Sequence, residues 1–219
     1  MQGHVHHHGS FAETHSEQAR VITTNDLPRD HPTGQFPVAQ DDTAYQYDRN
    51  PNTIRPQRLT YVLPPKPTYG KPQCVANEVG VMLSGVILFN ALDSSGRDAG
   101  AWEVQDSCSG HPEIVGEYHY HTLSPCIPNP GVGEVLGYAL DGFPITGGQL
   151  GPDNVLTTGD LDECHGITSA IVLDGEEVTM YHYVMTEDFP YSVGCFRGRP
   201  TTVQGHPQPG PPPPPAPPR

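Results

Sequence analysis

The sequence predicts a mainly β protein: a single antiparallel sandwich or barrel-like domain with long ordered loops and few short helices. Three observations carry this expectation. Short apolar runs are punctuated by turn residues, with 24 glycines and 26 prolines in 219 residues. Only 16% of residues are charged, against roughly 25% in an ordinary domain. No segment carries the apolar stripe that a helix of a dozen residues would need.

The strands follow in order. Leu59–Leu63 ends at Pro64–Pro65 and reads as an edge. Val79–Leu83 and Val86–Phe89 flank Ser84–Gly85, a tight hairpin turn. Val135–Leu140 meets Phe143–Thr146 across Asp141–Gly142, and Ile171–Leu173 meets Glu177–Val184 across Asp174–Gly175. Asp-Gly supplies the positive φ values of a type I′ turn. Outside this region, residues 1–19 read as a disordered leader or purification tag bearing His4, His6, His7 and His8. Residues 205–219 read as a disordered tail whose Pro211–Pro215 run favours extended polyproline II. The β domain is expected over residues 20–204.

Net charge of −14 argues against a nucleic-acid partner, because no basic surface exists to displace counterions from phosphates. The most apolar run, Val79–Leu92, is broken by Gly80, Ser84, Gly85 and Asn90 and falls short of the ~20 residues that span a bilayer. No transmembrane segment is expected, no signal peptide is visible, and the protein or small-molecule partner is unspecified. Of the five cysteines, Cys108 and Cys126 bracket one segment, Cys164 and Cys195 another, and Cys74 stands alone. No zinc-type spacing is present, so disulfides 108–126 and 164–195 are the economical reading, with reduced packed thiols the alternative. Disulfides imply an oxidising compartment.

The segment Gly116–Cys126, GEYHYHTLSPC, is the most informative. On a strand, Tyr118 and Tyr120 share one face while His119 and His121 share the other, about 6.5–7 Å apart. Two imidazoles so placed can converge on one transition-metal ion. Gly110–His111–Pro112 lies close by in sequence. A partial echo follows in Met180–Cys195, where Tyr181–His182–Tyr183 recurs with Val184 in place of a second histidine. The expected ligands are therefore His119 and His121, then His182 and His111, with Glu117, Asp141 or Asp162 as oxygen donors. His182, flanked on its own face by Met180 and Val184, equally suits a hydrogen-bonded core position.

Several further motifs resemble those of one family. Asp106-Ser-Cys-Ser-Gly-His-Pro112, Gly116-Glu-Tyr-His-Tyr-His121, Leu136-Gly-Tyr-Ala-Leu-Asp-Gly-Phe-Pro144 and Asp160-Leu-Asp-Glu-Cys164 are similar to the YHYH-domain family of secreted proteins. Tyr181-His-Tyr183 and Phe189-Pro-Tyr-Ser-Val-Gly-Cys-Phe-Arg-Gly198 continue the resemblance, as do Asn25–Gly34 and Asn50–Ile54 upstream. It implies a secreted or envelope context and one domain, but no particular activity. Val184 departs from the pattern and weakens the case for a symmetric pair of sites.

The functional expectation is a secreted protein, extracellular, periplasmic or on the cell surface, that binds a transition metal, copper ahead of zinc. One alternative is a metal-dependent oxidoreductase or hydrolase with Glu117 or Asp141 as general base. Another is an extracellular structural or binding module without metal, its Tyr–His ladders simply packing the core. Calcium at Asp160, Asp162, Glu163 and His165 ranks lower, a solvated acidic loop being the simpler account.

Overall fold

A computed structural model describes residues 4–128 and 130–206. Three strands, β1 (Phe11–His15), β2 (Arg20–Thr24) and β3 (Leu59–Leu63), form an antiparallel sheet. Eight more strands form the main sheet: β4 (Glu78–Met82), β5 (Ile87–Phe89), β6 (Gly110–Pro112), β7 (Tyr118–Tyr120), β8 (Val135–Ala139), β9 (Pro144–Gly147), β12 (Gly166–Leu173) and β13 (Glu176–Met185). A small ribbon, β10 (Gln149–Gly151) with β11 (Asn154–Val155), stands apart. One α-helical turn, α1 (Ala99–Trp102), is capped by the Asp98 side chain, which accepts from Ala101 N–H. The fold is mainly β, as predicted. The main sheet is mixed rather than purely antiparallel, because β5–β7 and β9–β13 run parallel, and it does not close into a barrel.

Two glycines explain the centre of the main sheet. β4 and β8 pair with Gly80 opposite Ala139, Val81 opposite Tyr138 and Met82 opposite Gly137. A Cβ on Gly80 would lie 2.5 Å from the Tyr138 oxygen, and one on Gly137 2.5 Å from the Val81 oxygen. Only glycine allows so close an approach of backbones. Flanking bonds are reciprocal: Leu83 N–H donates to Leu136 O at 2.8 Å, and Leu140 N–H to Val79 O at 2.9 Å.

From that centre the sheet reads the same in both directions. Its order is β12-β13-β9-β8-β4-β5-β7-β6. Each half is an antiparallel hairpin, then a parallel strand bearing Tyr-His-Tyr, then an antiparallel edge. Val79–Phe89 and Leu136–Thr146 correspond position by position, with Gly80/Gly137, Leu83/Leu140 and Gly85/Gly142 shared. The chain thus contains two copies of one four-stranded unit related by a pseudo-twofold axis at Val81 and Tyr138. The sequence echo around His119 and His182 is the visible trace of this repeat.

The two larger sheets share one core. Ile22, Leu59, Tyr61 and Leu63 pack with Val79, Val81, Met82, Ile87, Leu88 and the buried tyrosines of β7 and β13. Fully burying each such aliphatic side chain contributes about 1.5–3 kcal/mol. Both disulfides form, Cys108–Cys126 and Cys164–Cys195, and Cys74 is free and exposed.

Three expectations are corrected. Phe11–His15, placed by the sequence reading in a disordered leader, is strand β1, with a full ladder from Phe11↔Thr24 to His15↔Arg20. An edge strand is held by backbone bonds, so its polar side chains gave no strand signal. At the other end, Gln204 bridges Thr60, and His206 lies between Glu78 and Glu117, inside the expected tail boundary; residues 207–219 of that tail lie outside the described residues. Finally, at the β8–β9 turn only Gly142 has positive φ (88°), and Ala139 both accepts from Gly142 N–H and donates to Phe143 O. That is a three-residue loop closed by a left-handed glycine rather than a type I′ turn. Asp174 (54°) and Gly175 (83°) do supply the type I′ values.

Candidate metal centre

The site begins with a turn. Asp106 Oδ1 accepts from Cys108 N–H (2.9 Å) and Gly110 N–H (3.2 Å), while Oδ2 accepts from Tyr118 O–H (2.8 Å). Ser109 takes the left-handed conformation (φ 60°). Gly110 must lack a side chain, since a Cβ there would overlap the Tyr118 ring. The turn therefore launches β6 in one register only, with His111 directly opposite His119. Alternation along β7 sends Tyr118 and Tyr120 into the core and carries His119 and His121 to the other face beside His111.

These three rings form one buried cluster. Each histidine is about 3% exposed, and their ligand nitrogens lie within 4.8 Å of one another. His119 Nε2 and His121 Nε2 are 3.1 Å apart. Their other nitrogens are already bonded: His119 Nδ1–H donates to Glu117 O (3.2 Å) and His121 Nδ1–H to Asn90 O (2.5 Å). Those bonds place a proton on Nδ1 of each ring and turn both Nε2 atoms toward the cluster. Burial, followed by the neighbouring His111 and His121, holds His119 far below the ordinary imidazole pKa. The two Nε2 atoms are turned toward each other, within hydrogen-bond distance. Among the described residues neither ring nitrogen of His111 has a hydrogen-bond partner, and burial pushes its pKa down to about 4. Phe89 of β5 stacks on His119 at 4.0 Å between centroids and walls off that side.

Glu103, the residue after α1, completes the cluster and was not anticipated. Its Oε2 lies 3.3 Å from His121 Nε2 and 3.5 Å from His111 Nε2. The second distance is a near contact and not a hydrogen bond, consistent with the unpartnered state of His111. No motif surrounds Glu103 in sequence; the one-turn helix alone brings it here. A groove of about 530 Å³ opens over the cluster, lined by His111, His119, His121, Phe89 and Glu103.

The remaining expected ligands are elsewhere. His182 is fully buried, with Nδ1 on Thr146 Oγ1 (2.9 Å) and Nε2 on Ser169 Oγ (2.8 Å). It is the hydrogen-bonded core histidine of the alternative reading, and burial pushes its pKa down to about 4. Glu117 directs its carboxylate to His206 Nδ1 (2.6 Å). Asp141 accepts from Tyr183 O–H (2.6 Å) and Gly198 N–H (2.8 Å). Asp162 accepts from Cys164 and Gly166 N–H and pairs with Arg197. None of these three carboxylates joins the cluster: each is held by partners of its own, which also removes Asp162 from a calcium loop. A second grouping, His31 with Cys108 and Cys126, offers no thiolate because the two sulfurs are joined.

The second half repeats the scaffold without the site. Asp162 Oδ1 organises Cys164 and Gly166 as Asp106 does Cys108 and Gly110, and Tyr181 O–H returns to Asp162 at 3.0 Å. Register places Ile167 where His111 stands and His182 where His119 stands. Val184 then replaces His121, and Thr146 replaces Phe89. One imidazole survives of three, re-bonded to hydroxyls.

Residues 60–155, a little under half of the chain, match the model of the family described as YHYH protein. The resemblance seen in the motifs therefore holds over the stretch that carries His111, His119 and His121. No curated protein and no solved structure matches the chain.

Proposed function

We propose that this YHYH-domain chain binds one transition-metal ion through His111, His119 and His121, with Glu103 beside them as the oxygen donor. The observation that supports it is the pair of Nε2 atoms 3.1 Å apart, each ring held by an Nδ1–H bond to a backbone carbonyl. Two nitrogens bound to one ion at the usual 2.0–2.1 Å are about 3 Å apart. Carbonyl acceptors on the far nitrogens are the usual outer support of metal-bound histidine. A neutral imidazole set suits copper or zinc, and we place copper first. Two disulfides fit an oxidising compartment, so we assign the protein to the cell exterior, the periplasm or the cell surface.

Elemental analysis after reconstitution and desalting tests this reading. Because the closely spaced His4, His6, His7 and His8 can also take up metal, the full chain is compared with its His119→Ala/His121→Ala variant. A difference of one copper or zinc per chain is expected; equal metal content with retained folding overturns the reading. The open groove over the histidines favours a second reading, in which a metal position facing solvent activates water or a substrate. Turnover of any substrate that is lost with His119 and His121 would establish it.

A further inference from the structure

The groove over the histidines is lined by fixed charge of one sign. Asp48, Asp93, Glu103 and Glu113 line it, together with Asn50 and Asn52, and among the described residues neither lysine nor arginine does. Asp93 is answered by Arg97 at 2.7 Å, which leaves Asp48, Glu103 and Glu113 as the wall carboxylates without a lysine or arginine partner among the described residues. Asp48 and Glu113 are held in place by backbone N–H donors, Asp48 from Asn50 and Val104, Glu113 from Val115 and Glu117. Among the lining residues, His111 is 3% exposed and presents two ring nitrogens that have no hydrogen-bond partner among the described residues. A buried, unpartnered ligand atom in an acidic groove, with the Glu103 carboxylate 3.5 Å away, points to a cationic ligand.

We infer that this groove is an electrostatic filter for the histidine site, drawing the metal in as an aquated cation and repelling anionic chelates and substrates. The inference rests on the metal-binding reading and adds the direction of approach and the charge class admitted. Imidazole ligands carry no net charge to attract a distant cation, so the wall carboxylates supply the long-range attraction. Low-dielectric walls focus that field, raising association rates by about tenfold or more in such clefts. Salt screens it over roughly 10 Å.

The test is stopped-flow association of aqueous Cu²⁺ with the full chain, following Tyr and Trp fluorescence, at rising ionic strength. It is run on wild type, on Glu113→Gln, and on Asp48→Asn/Glu113→Gln, with a parallel His119→Ala/His121→Ala trace to subtract the leader histidines. In wild type the association rate should fall about three- to tenfold between low and high salt. The double variant should associate several-fold more slowly at low salt, converge with wild type at high salt, and keep its dissociation rate within about twofold. Glu113→Gln, which retains an oxygen for the Val115 and Glu117 N–H groups, should show a smaller shift of the same sign. Salt-independent association by wild type, or a change confined to dissociation, overturns the filter while leaving the site intact. No histidine-dependent binding at all would instead overturn the metal reading on which it rests.

Discussion

His111 and His119 are exact cross-strand partners in the β6–β7 ladder, although seven residues lie between them. Gly110, which alone can stand against the Tyr118 ring, sets that register. The third nitrogen of the cluster is therefore a product of a turn, and its behaviour should follow the turn and its neighbours.

Glu103 touches two of the three histidines from a one-turn helix. Glu103→Gln keeps the shape and removes the charge. Isothermal titration with Cu²⁺ should show affinity about 10–100-fold weaker with unchanged stoichiometry. An unchanged affinity would place Glu103 outside the metal's environment.

The repeat predicts that the second half can be given a site. In a His119→Ala/His121→Ala background, adding Ile167→His, Val184→His and Ser169→Ala rebuilds the triad around His182 and frees its Nε2. Elemental analysis should show one metal per chain restored. Failure in a folded variant would mean that Thr146, standing where Phe89 stands, changes the ring geometry too far.

His182 predicts a pH effect on the metal-free protein. Its folded pKa, pushed down to about 4, lies below the ordinary imidazole value of about 6.5. As pH falls through that interval the unfolded chain takes up a proton that the folded chain refuses, so stability declines between about pH 6.5 and 4 and levels off below. The contribution is about 3 kcal/mol. Denaturant titrations at pH 7 and pH 4 should show wild type losing about that much more than His182→Gln, which can still bond Thr146 and Ser169. Equal losses would show that His182 is charged in the fold.

The disulfides should separate function from stability. Cys108 and Cys126 bracket the β6–β7 hairpin, and Cys164 and Cys195 bracket its counterpart. Replacing either pair with serine should cost about 3–4 kcal/mol in thermal or denaturant unfolding. Copper affinity should fall only for Cys108→Ser/Cys126→Ser. Equal loss from both pairs would mean that the halves couple as one unit.

The features legible in the residues themselves are local. Tyr118–His121 specifies a strand with tyrosines on one face and histidines on the other, since side chains on a strand alternate. The Ser84–Gly85 and Asp174–Gly175 turns, both cysteine pairings and the resemblance between the two halves were legible in the same way. Tertiary structure decided which histidines meet. His111 joins by strand register, Glu103 by the placement of a helix with no motif, and His182 is withdrawn by two hydroxyls brought to it from β9 and β12. Glu117, Asp141 and Asp162 were plausible oxygen donors by proximity in sequence, yet each is satisfied by a distant partner: His206, Tyr183 or Arg197. A buried polar atom bonds whatever the fold carries to it, and proximity along the chain does not reveal what that will be.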